Sequence, residues 1–437
     1  MKTIQEDKGA TDNSFVARLR GTGRNHLVQG FLGKVLLLAC SIGVSLSAGE
    51  LLLGRYYPIG GTIAQLDQRY LYRYKPNSRE LYRFSAANGG GKVLVTINGE
   101  GRRGDPVSMK RPRILVYGDS FISAVFCPVK QTFVWQLERE LRMRVSPALQ
   151  VVNCGVSGYG PDQESRLLED DIDRLKPRLA IVAIYAGNDY GDLMRHKIYK
   201  LDDQRQLKEN NYTLDPSLAS LPLFTGEGPP LYTLRLLQRV WEKLEPAWKH
   251  DRTPRPALRG YDYPELWLRK CRAEYEEYII HGDNVVRNLV DGHYDADISL
   301  APNSESAQYK RILMNQVIER LKRIAAEHSV PLMLVIIPSP VDVVDNCGVS
   351  IDRHKYPAYR RSQLTDVIEE IAREQNLPYV NLFNPFREHG ASSLYYVVDN
   401  DHWRPEGQQL AASLVAGYIT QMGLMNARDG APSGAHW

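Results

Sequence analysis

Four separated segments of the chain each supply a residue type that acyl transfer through a serine requires. Ser120 lies in GDS, Gly155 in NCGVSG, Asn188 in GND and His402 in DNDHW. A serine hydroxyl is a weak nucleophile at neutral pH and becomes reactive when a base takes its proton. His402 is the candidate base, because imidazole exchanges protons in this pH range.

A carboxylate beside the histidine would fix the imidazole tautomer and stabilise its charged form. Asp399 precedes His402 by three residues and can turn back towards the ring, whereas we expect the adjacent Asp401 to point away. We therefore predict a Ser120–His402–Asp399 triad. The backbone N–H groups of Ser120 and Gly155, with the side-chain amide of Asn188, would form an oxyanion hole in which each donor contributes roughly 10²–10³ in rate.

These four segments need a scaffold that brings them together, and the hydrophobic pattern predicts one. Short, continuous apolar runs typical of strands buried on both faces occupy residues 114–117, 150–152, 179–185, 332–337 and 378–382. Helical spacing lies between them, and Pro405 is a suitable first residue for the last helix. Alternating strands and helices indicate an α/β fold with a parallel sheet covered on both faces. Because parallel strands end at one edge of their sheet, the polar segments that follow them should meet there.

The four segments, taken in order, resemble the SGNH subgroup of the GDSL esterase/lipase family. The resemblance covers roughly 113–190 and 310–420, and it extends weakly to INGEGRRG at 97–104. It implies a three-layer, flavodoxin-like α/β/α fold and ester hydrolysis that uses neither a metal nor another cofactor. The chain departs from the pattern at two places: a glycine directly precedes Asn188, and Trp403 follows the histidine. The GxSxG motif of α/β-hydrolases is absent around Ser120.

An apolar stretch near the N-terminus predicts a membrane segment. Residues 35–49 carry no charge, and the extended segment 26–54 is long enough to cross a bilayer, which takes roughly 20 residues. The basic residues on the N-terminal side of the uncharged stretch place residues 1–25 in the cytoplasm and everything after Arg55 outside; they are Arg18, Arg20, Arg24 and Lys34. We favour an uncleaved signal anchor. The alternatives are a signal peptide cleaved near 45–48 and a buried core helix.

The remaining organisation follows from these segments. Residues 1–25 are polar, with disorder expected, 55–110 precede the main domain, 111–425 form it, and 426–437 are a flexible tail. An insertion at 191–306, with a predicted helix at 232–248, interrupts the alternation of strands and helices. Its aromatic residues either pack the insertion onto the core or form a lid over the substrate. Trp403 and Tyr159 are the candidate substrate contacts.

The amino-acid composition excludes collagenous, coiled-coil and wholly disordered chains. The 437 residues are 43% hydrophobic and 24% charged, as in ordinary globular proteins. A net charge of +4 without a basic run gives no support for a nucleic-acid partner. No cysteine or histidine cluster has the spacing of zinc ligands. In an oxidising compartment the four cysteines after the apolar segment could form up to two disulfides; they are Cys127, Cys154, Cys271 and Cys347.

The favoured hypothesis is an extracytoplasmic serine esterase that removes acyl groups, above all acetyl, from a carbohydrate or another envelope ester. Its partners would be an acylated small molecule or polysaccharide and the membrane around residues 26–54. An O-acyltransferase with the same triad is the first alternative. A non-catalytic carbohydrate-binding or assembly protein is the second, and the intact catalytic residue types argue against it.

Overall fold

The computed structural model describes residues 13–84, 91–226, 228–229, 231–244, 263–290, 292–345, 347–396 and 401–425. The strands are β1 (Ala64–Asp67), β2 (Leu71–Tyr74), β3 (Arg79–Arg83), β4 (Lys92–Thr96), β5 (Arg113–Tyr117), β6 (Gln150–Asn153), β7 (Leu179–Tyr185), β8 (Tyr199–Leu201), β9 (Leu207–Glu209), β10 (Thr213–Leu214), β11 (Val285–Val286), β12 (Leu332–Ile337) and β13 (Tyr379–Asn381).

The α-helices are α1 (Asn13–Tyr56), α2 (Ser120–Ser123), α3 (Phe133–Arg144), α4 (Pro161–Leu175), α5 (Asp189–His196), α6 (Pro222–Thr225), α7 (Tyr232–Leu244), α8 (Tyr263–Tyr275), α9 (Ala296–Leu300), α10 (Glu305–Glu327), α11 (Pro340–Val343), α12 (Gln363–Glu374), α13 (Phe383–Glu388) and α14 (Pro405–Gln421). Short 3₁₀ turns occupy Val129–Gln131, Pro216–Ser220 and Ala391–Ser393, and a π-helical turn occupies Glu276–Ile280.

The central sheet has five strands in the order β13-β12-β7-β5-β6, and every pairing is parallel. Counted by appearance in the chain, this is the flavodoxin-like order 2-1-3-4-5. All five runs predicted as strands are confirmed. They form strands because parallel strands buried on both faces need continuous apolar sequence, and every residue of β5, β7 and β12 is buried.

Helices cover both faces of the sheet. Ile114 and Val116 of β5 pack in one apolar cluster with residues of α3 and α14, whereas Leu115 packs in a second cluster with residues of α4, α10 and α12. Alternate residues of a strand point to opposite faces, so β5 contributes to both layers. The α/β/α fold class predicted from the sequence is confirmed, and the last helix begins at Pro405 as expected.

The chain divides into two compact units, Met1–Pro58 with Pro229–Glu245 and Ile59–Gly228 with Pro246–Trp437. The second unit contains the sheet, the hairpins β1–β2 and β3–β4 of the segment before the domain, and most of the 191–306 insertion. The predicted domain boundaries remain predictions. The tail at 426–437 and residues 1–12 lie outside the described residues.

The first unit consists of α1 and α7. Within α1, the segment Phe31–Tyr56 contains an 18-residue stretch with a mean hydropathy of 2.0 and is long and apolar enough for a membrane anchor or a signal sequence. The expected disorder of residues 13–25 is wrong, because α1 already begins at Asn13. The predicted helix at 232–248 is present as Tyr232–Leu244, and residues 245–248 lie outside the described part.

Candidate active site

The nucleophile candidate lies at the carboxyl end of β5. The strand ends at Tyr117, and Ser120 is the first residue of the four-residue helix α2. Asp119 caps this helix, since its side chain accepts a hydrogen bond from the Phe121 N–H at 2.8 Å. The Ser120 side chain therefore projects from a turn at the point where the strand order of the sheet reverses, a place where ligands bind in such folds.

Ser120 and His402, 282 positions apart, meet at this edge. The distance from His402 Nε2 to Ser120 Oγ is 2.6 Å, which is a hydrogen bond suited to proton transfer. The His402 side chain is 17% exposed, so substrate can still reach the pair. The rings of Phe121 and Phe126 pack on the imidazole with centroid distances of 5.0 and 4.1 Å, which limits its rotation.

The carboxylate in contact with the imidazole is Asp401. Its Oδ1 lies 3.1 Å from His402 Nδ1, and its Oδ2 accepts a hydrogen bond from the Tyr185 hydroxyl at 2.9 Å. Burial opposes the charged form, yet the charge of His402 and these hydrogen bonds lower the pKa of Asp401 to about 2. The expectation that Asp401 points away is wrong, because the turn before α14 directs its side chain back to the ring. Asp399 lies outside the described residues and stays a prediction.

Two of the three expected oxyanion donors are available. Neither the Ser120 backbone N–H nor the Asn188 side-chain amide makes a hydrogen bond within the described residues, and Asn188 Oδ1 is a buried acceptor without a partner there. Asn188 follows β7 and directly precedes α5. A buried polar group without a partner is costly, so Asn188 is a candidate contact for a bound ligand.

Gly155 does not fit the donor role predicted for it. Its N–H donates to Asn153 Oδ1 at 3.0 Å, so it is already occupied. The glycine is explained by packing, because a methyl group here would lie 2.5 Å from the Ser123 backbone nitrogen. In the same loop, Gly158 has a φ of +80° and an N–H without a hydrogen bond in the described part. Sequence reasoning passed over Gly158 although it is the last residue of the NCGVSG segment.

The segment before the domain supports this loop. The Tyr74 hydroxyl of β2 lies 2.7 Å from Ser123 Oγ and accepts a hydrogen bond from the Ser157 N–H at 3.1 Å. The Tyr72 hydroxyl donates to the Ser157 carbonyl at 2.7 Å. The buried Arg103 guanidinium donates to the carbonyls of Ser123, Ala124 and Cys127, in the turn that follows α2. These long-range contacts could not be found from sequence, because no local pattern announces them.

The end of the insertion holds the asparagine in place. Asp295 donates its N–H to the Gly187 carbonyl at 2.8 Å, and its Oδ2 accepts the Gly191 N–H at 2.8 Å. Gly292 is so close to the oxyanion candidate that a methyl group there would lie 2.5 Å from Asn188 Nδ2. Trp267 packs on the buried Tyr294 at 5.0 Å, which favours the packing interpretation for that part of the insertion.

Both predicted substrate contacts are wrong. Trp403 is 1% exposed and packs against Phe121 and Phe386 in the core. Tyr159 is also 1% exposed, and its hydroxyl donates to the Tyr72 carbonyl at 2.5 Å. Their aromatic side chains fill the fold beneath the site, which is the more frequent role of large aromatic residues.

Other groups near the site carry charge without forming a site for a ligand. Burial raises the pKa of Asp119 to about 7, although the Phe121 N–H and His402 oppose this. Cys271, Asp295 and Asp297 lie close enough together to hold a cation. The cation there is the buried Lys310, whose Nζ is 2.7 Å from Asp295 and 3.0 Å from Asp297.

The five cysteines are free thiols, so the disulfides considered from the sequence are not formed.

No protein-family model and no curated protein matches the chain. Among solved structures, a lipase/acylhydrolase from Enterococcus faecalis is similar over 71% of this chain and 96% of its own, with 13% identity and a TM-score of 0.33. An acetylxylan esterase from Geobacillus stearothermophilus is similar over 70% and 94%, with 13% identity and a TM-score of 0.34. A two-domain esterase active on acetylated mannans matches over 74% and 52%, with 10% identity and a TM-score of 0.34. Likenesses this distant say nothing about substrate or mechanism.

Proposed function

We propose that this chain is a membrane-anchored serine ester hydrolase in which Ser120 is the nucleophile and His402 the general base. The observation that carries the proposal is the 2.6 Å contact between Ser120 Oγ and His402 Nε2, with a carboxylate on Nδ1 and free N–H donors at the same sheet edge. Such a constellation is recognised by geometry and roles rather than by sequence position.

The steps follow from these positions. His402 Nε2 takes the hydroxyl proton while Ser120 Oγ attacks the ester carbonyl. The Ser120 N–H and the Asn188 amide, joined in our proposal by the Gly158 N–H, stabilise the resulting oxyanion. The protonated His402 then donates to the leaving alcohol, which leaves an acyl-serine. Water, deprotonated by His402, attacks this acyl group and releases the acid and free Ser120.

The proposed substrate is an acylated, above all acetylated, carbohydrate or other envelope ester. This class follows from the family resemblance together with the proposed location outside the cytoplasm. The location in turn rests on α1 as an uncleaved signal anchor and on the basic residues before its apolar part.

The test uses the full chain in detergent micelles. We expect it to react stoichiometrically with a fluorophosphonate probe and to release acetate from p-nitrophenyl acetate. Ser120→Ala should abolish labelling and lower turnover by 10³-fold or more, about the share of a catalytic nucleophile. Ser392→Ala, at an exposed serine, is the matched control and should behave as wild type. Equal labelling of the Ser120→Ala variant and wild type would refute the proposal.

A further inference from the structure

Helix α7 is fastened to the end of the apolar helix α1 through one carboxylate. Glu50 accepts hydrogen bonds from the Tyr232 N–H at 2.6 Å, the Thr233 N–H at 3.0 Å and the Thr233 hydroxyl at 3.0 Å. These backbone groups open α7 and have no partner inside the helix. A carboxylate at this position is favourable for the helix dipole. Glu50 would otherwise be a costly charge in an apolar span, and here it is satisfied by α7.

A glycine of α1 lets the helices approach closely. A methyl group at Gly54 would lie 3.0 Å from the Tyr232 ring, whereas one at Gly49 would make an ordinary van der Waals contact of 3.8 Å with the Thr233 methyl carbon. Gly54 follows Glu50 by four residues and therefore shares its helix face. The start of α7 is thus fixed against the last two turns of α1, and the two helices belong to the same compact unit.

The outer face of α7 is apolar and exposed. Leu234, Leu237, Val240 and Trp241 are 43%, 63%, 48% and 66% exposed. Their spacing of three and four residues places them on one face of the helix. Arg235, in contrast, is buried and donates to the Pro229 carbonyl at 2.5 Å. The helix therefore exposes its apolar face and buries a charged residue, whereas a surface helix of a water-soluble protein buries its apolar face.

We propose that α7 is a membrane-surface helix, with its Leu234–Leu237–Val240–Trp241 face inserted into the lipid beside the end of α1. The inference rests on the proposed membrane anchor. Lipid is proposed to cover the apolar face of α7 because this face is continuous with the apolar surface of α1. The neighbouring α1 residues Leu51 and Leu52 are 75% and 59% exposed and belong to the apolar span. Thirteen residues are too few to cross a bilayer but suit an interfacial helix, where tryptophan is enriched.

Quenching by brominated lipids tests this placement with the full chain in vesicles. We expect lipids brominated near the headgroup to quench tryptophan fluorescence more than lipids brominated deep in the chain. Trp241→Phe should remove most of the quenchable signal. Trp135→Phe, at a half-buried tryptophan of α3 in the other unit, should leave it unchanged. Equal quenching of Trp241→Phe and wild type would overturn the proposal, whether solvent or a second copy covers the face.

A charge placed on the inserted face gives a second, independent readout. Leu237→Asp should lower the quenching of Trp241 at least two-fold, whereas Arg239→Asp, two positions further on and therefore on the opposite side of the helix, should not. Equal effects of the two substitutions would contradict lipid insertion of this face. Resistance of the chain to carbonate extraction reports on α1 alone, and hydrolysis of p-nitrophenyl acetate reports on Ser120 alone. A failure of the anchor, of the esterase or of the α7 proposal is therefore recognisable separately.

Discussion

Gly292 lacks a side chain at the point where the Asn188 amide, the candidate oxyanion donor, packs against the insertion. A substitution at this one residue of the insertion should therefore affect turnover. Its φ is not in the left-handed region, so alanine is compatible with the backbone, but the added methyl group would lie 2.5 Å from Asn188 Nδ2. Contacts that short do not occur, so the amide must move. Loss of one oxyanion donor costs roughly 10²–10³ in rate.

We therefore expect Gly292→Ala to lower kcat for p-nitrophenyl acetate by roughly 10-fold or more, a partial loss of that donor, with little change in KM. Gly99→Ala, on an exposed turn where the nearest atom would be 3.6 Å away, is the control. An unchanged kcat in Gly292→Ala would mean that Asn188 does not stabilise the transition state.

The two aspartates before His402 can be distinguished by substitution. Asp401 is in contact with Nδ1, so Asp401→Asn is expected to lower kcat by up to about 10⁴-fold by favouring the wrong tautomer. The contact predicts a smaller loss for Asp399→Asn. A larger loss for Asp399→Asn, measured under the same conditions, would return the role to the residue predicted from sequence.

At the residue scale, the sequence predicted those site residues whose positions are set by the topology of the sheet. It did not predict those whose positions are set by the conformation of a single turn. Ser120, Asn188 and His402 could be placed because strand ends converge on one edge. The choice between Asp399 and Asp401, or between Gly155 and Gly158, depends on local backbone angles such as the φ of +80° at Gly158. No periodicity encodes such an angle.

Among the elements, the segment before the domain has the least expected role. Its strand β2 and Arg103 hold the turns that carry Ser120 and Gly158, so it is part of the site's scaffold. The buried strands were predictable from their continuous apolar sequence. The contribution of Arg103 was not predictable. Its partners are backbone carbonyls about twenty residues away, and because every residue has such a carbonyl, the sequence does not mark them.

Replacing Arg103 tests this support. Arg103→Met leaves the buried carbonyls of Ser123, Ala124 and Cys127 without their donor, and each buried unsatisfied group costs about 1–3 kcal/mol. We expect a loss of about 3 kcal/mol in unfolding free energy, measured by denaturant titration. The matched change at the exposed Arg269 should cost almost nothing. Equal stability of the two variants would mean that the Arg103 hydrogen bonds contribute little to the unfolding free energy.

For the molecule as a whole, buried carboxyl groups set the response to pH. Burial raises the pKa of Asp119 to about 7 and that of Asp342 to about 8, the latter despite a hydrogen bond from the Tyr294 hydroxyl. A carboxyl with a raised folded-state pKa keeps its proton where the unfolded chain has lost it. Unfolding free energy therefore falls as pH rises from about 4 to about 8.

Asp342→Asn removes one of these groups and keeps an acceptor for Tyr294. We expect the variant to lose less unfolding free energy than wild type between pH 5 and pH 8.5, as measured by denaturant titration at each pH. Asp203→Asn, at an exposed loop position, should reproduce the wild-type dependence. Parallel curves for Asp342→Asn and wild type would show that Asp342 is ionised throughout this range.

The free thiols have a consequence for how this protein matures if it is exported. Cys127 and Cys154 are buried, and burial raises the pKa of these thiols to about 11 and about 12, so in the native protein these two cysteines present almost no thiolate to an oxidant. Before folding is complete the same thiols are ordinary and can be joined wrongly by oxidoreductases. Speed of folding, rather than any covalent link, then protects these two cysteines, and slow-folding variants should accumulate non-native cross-links through them.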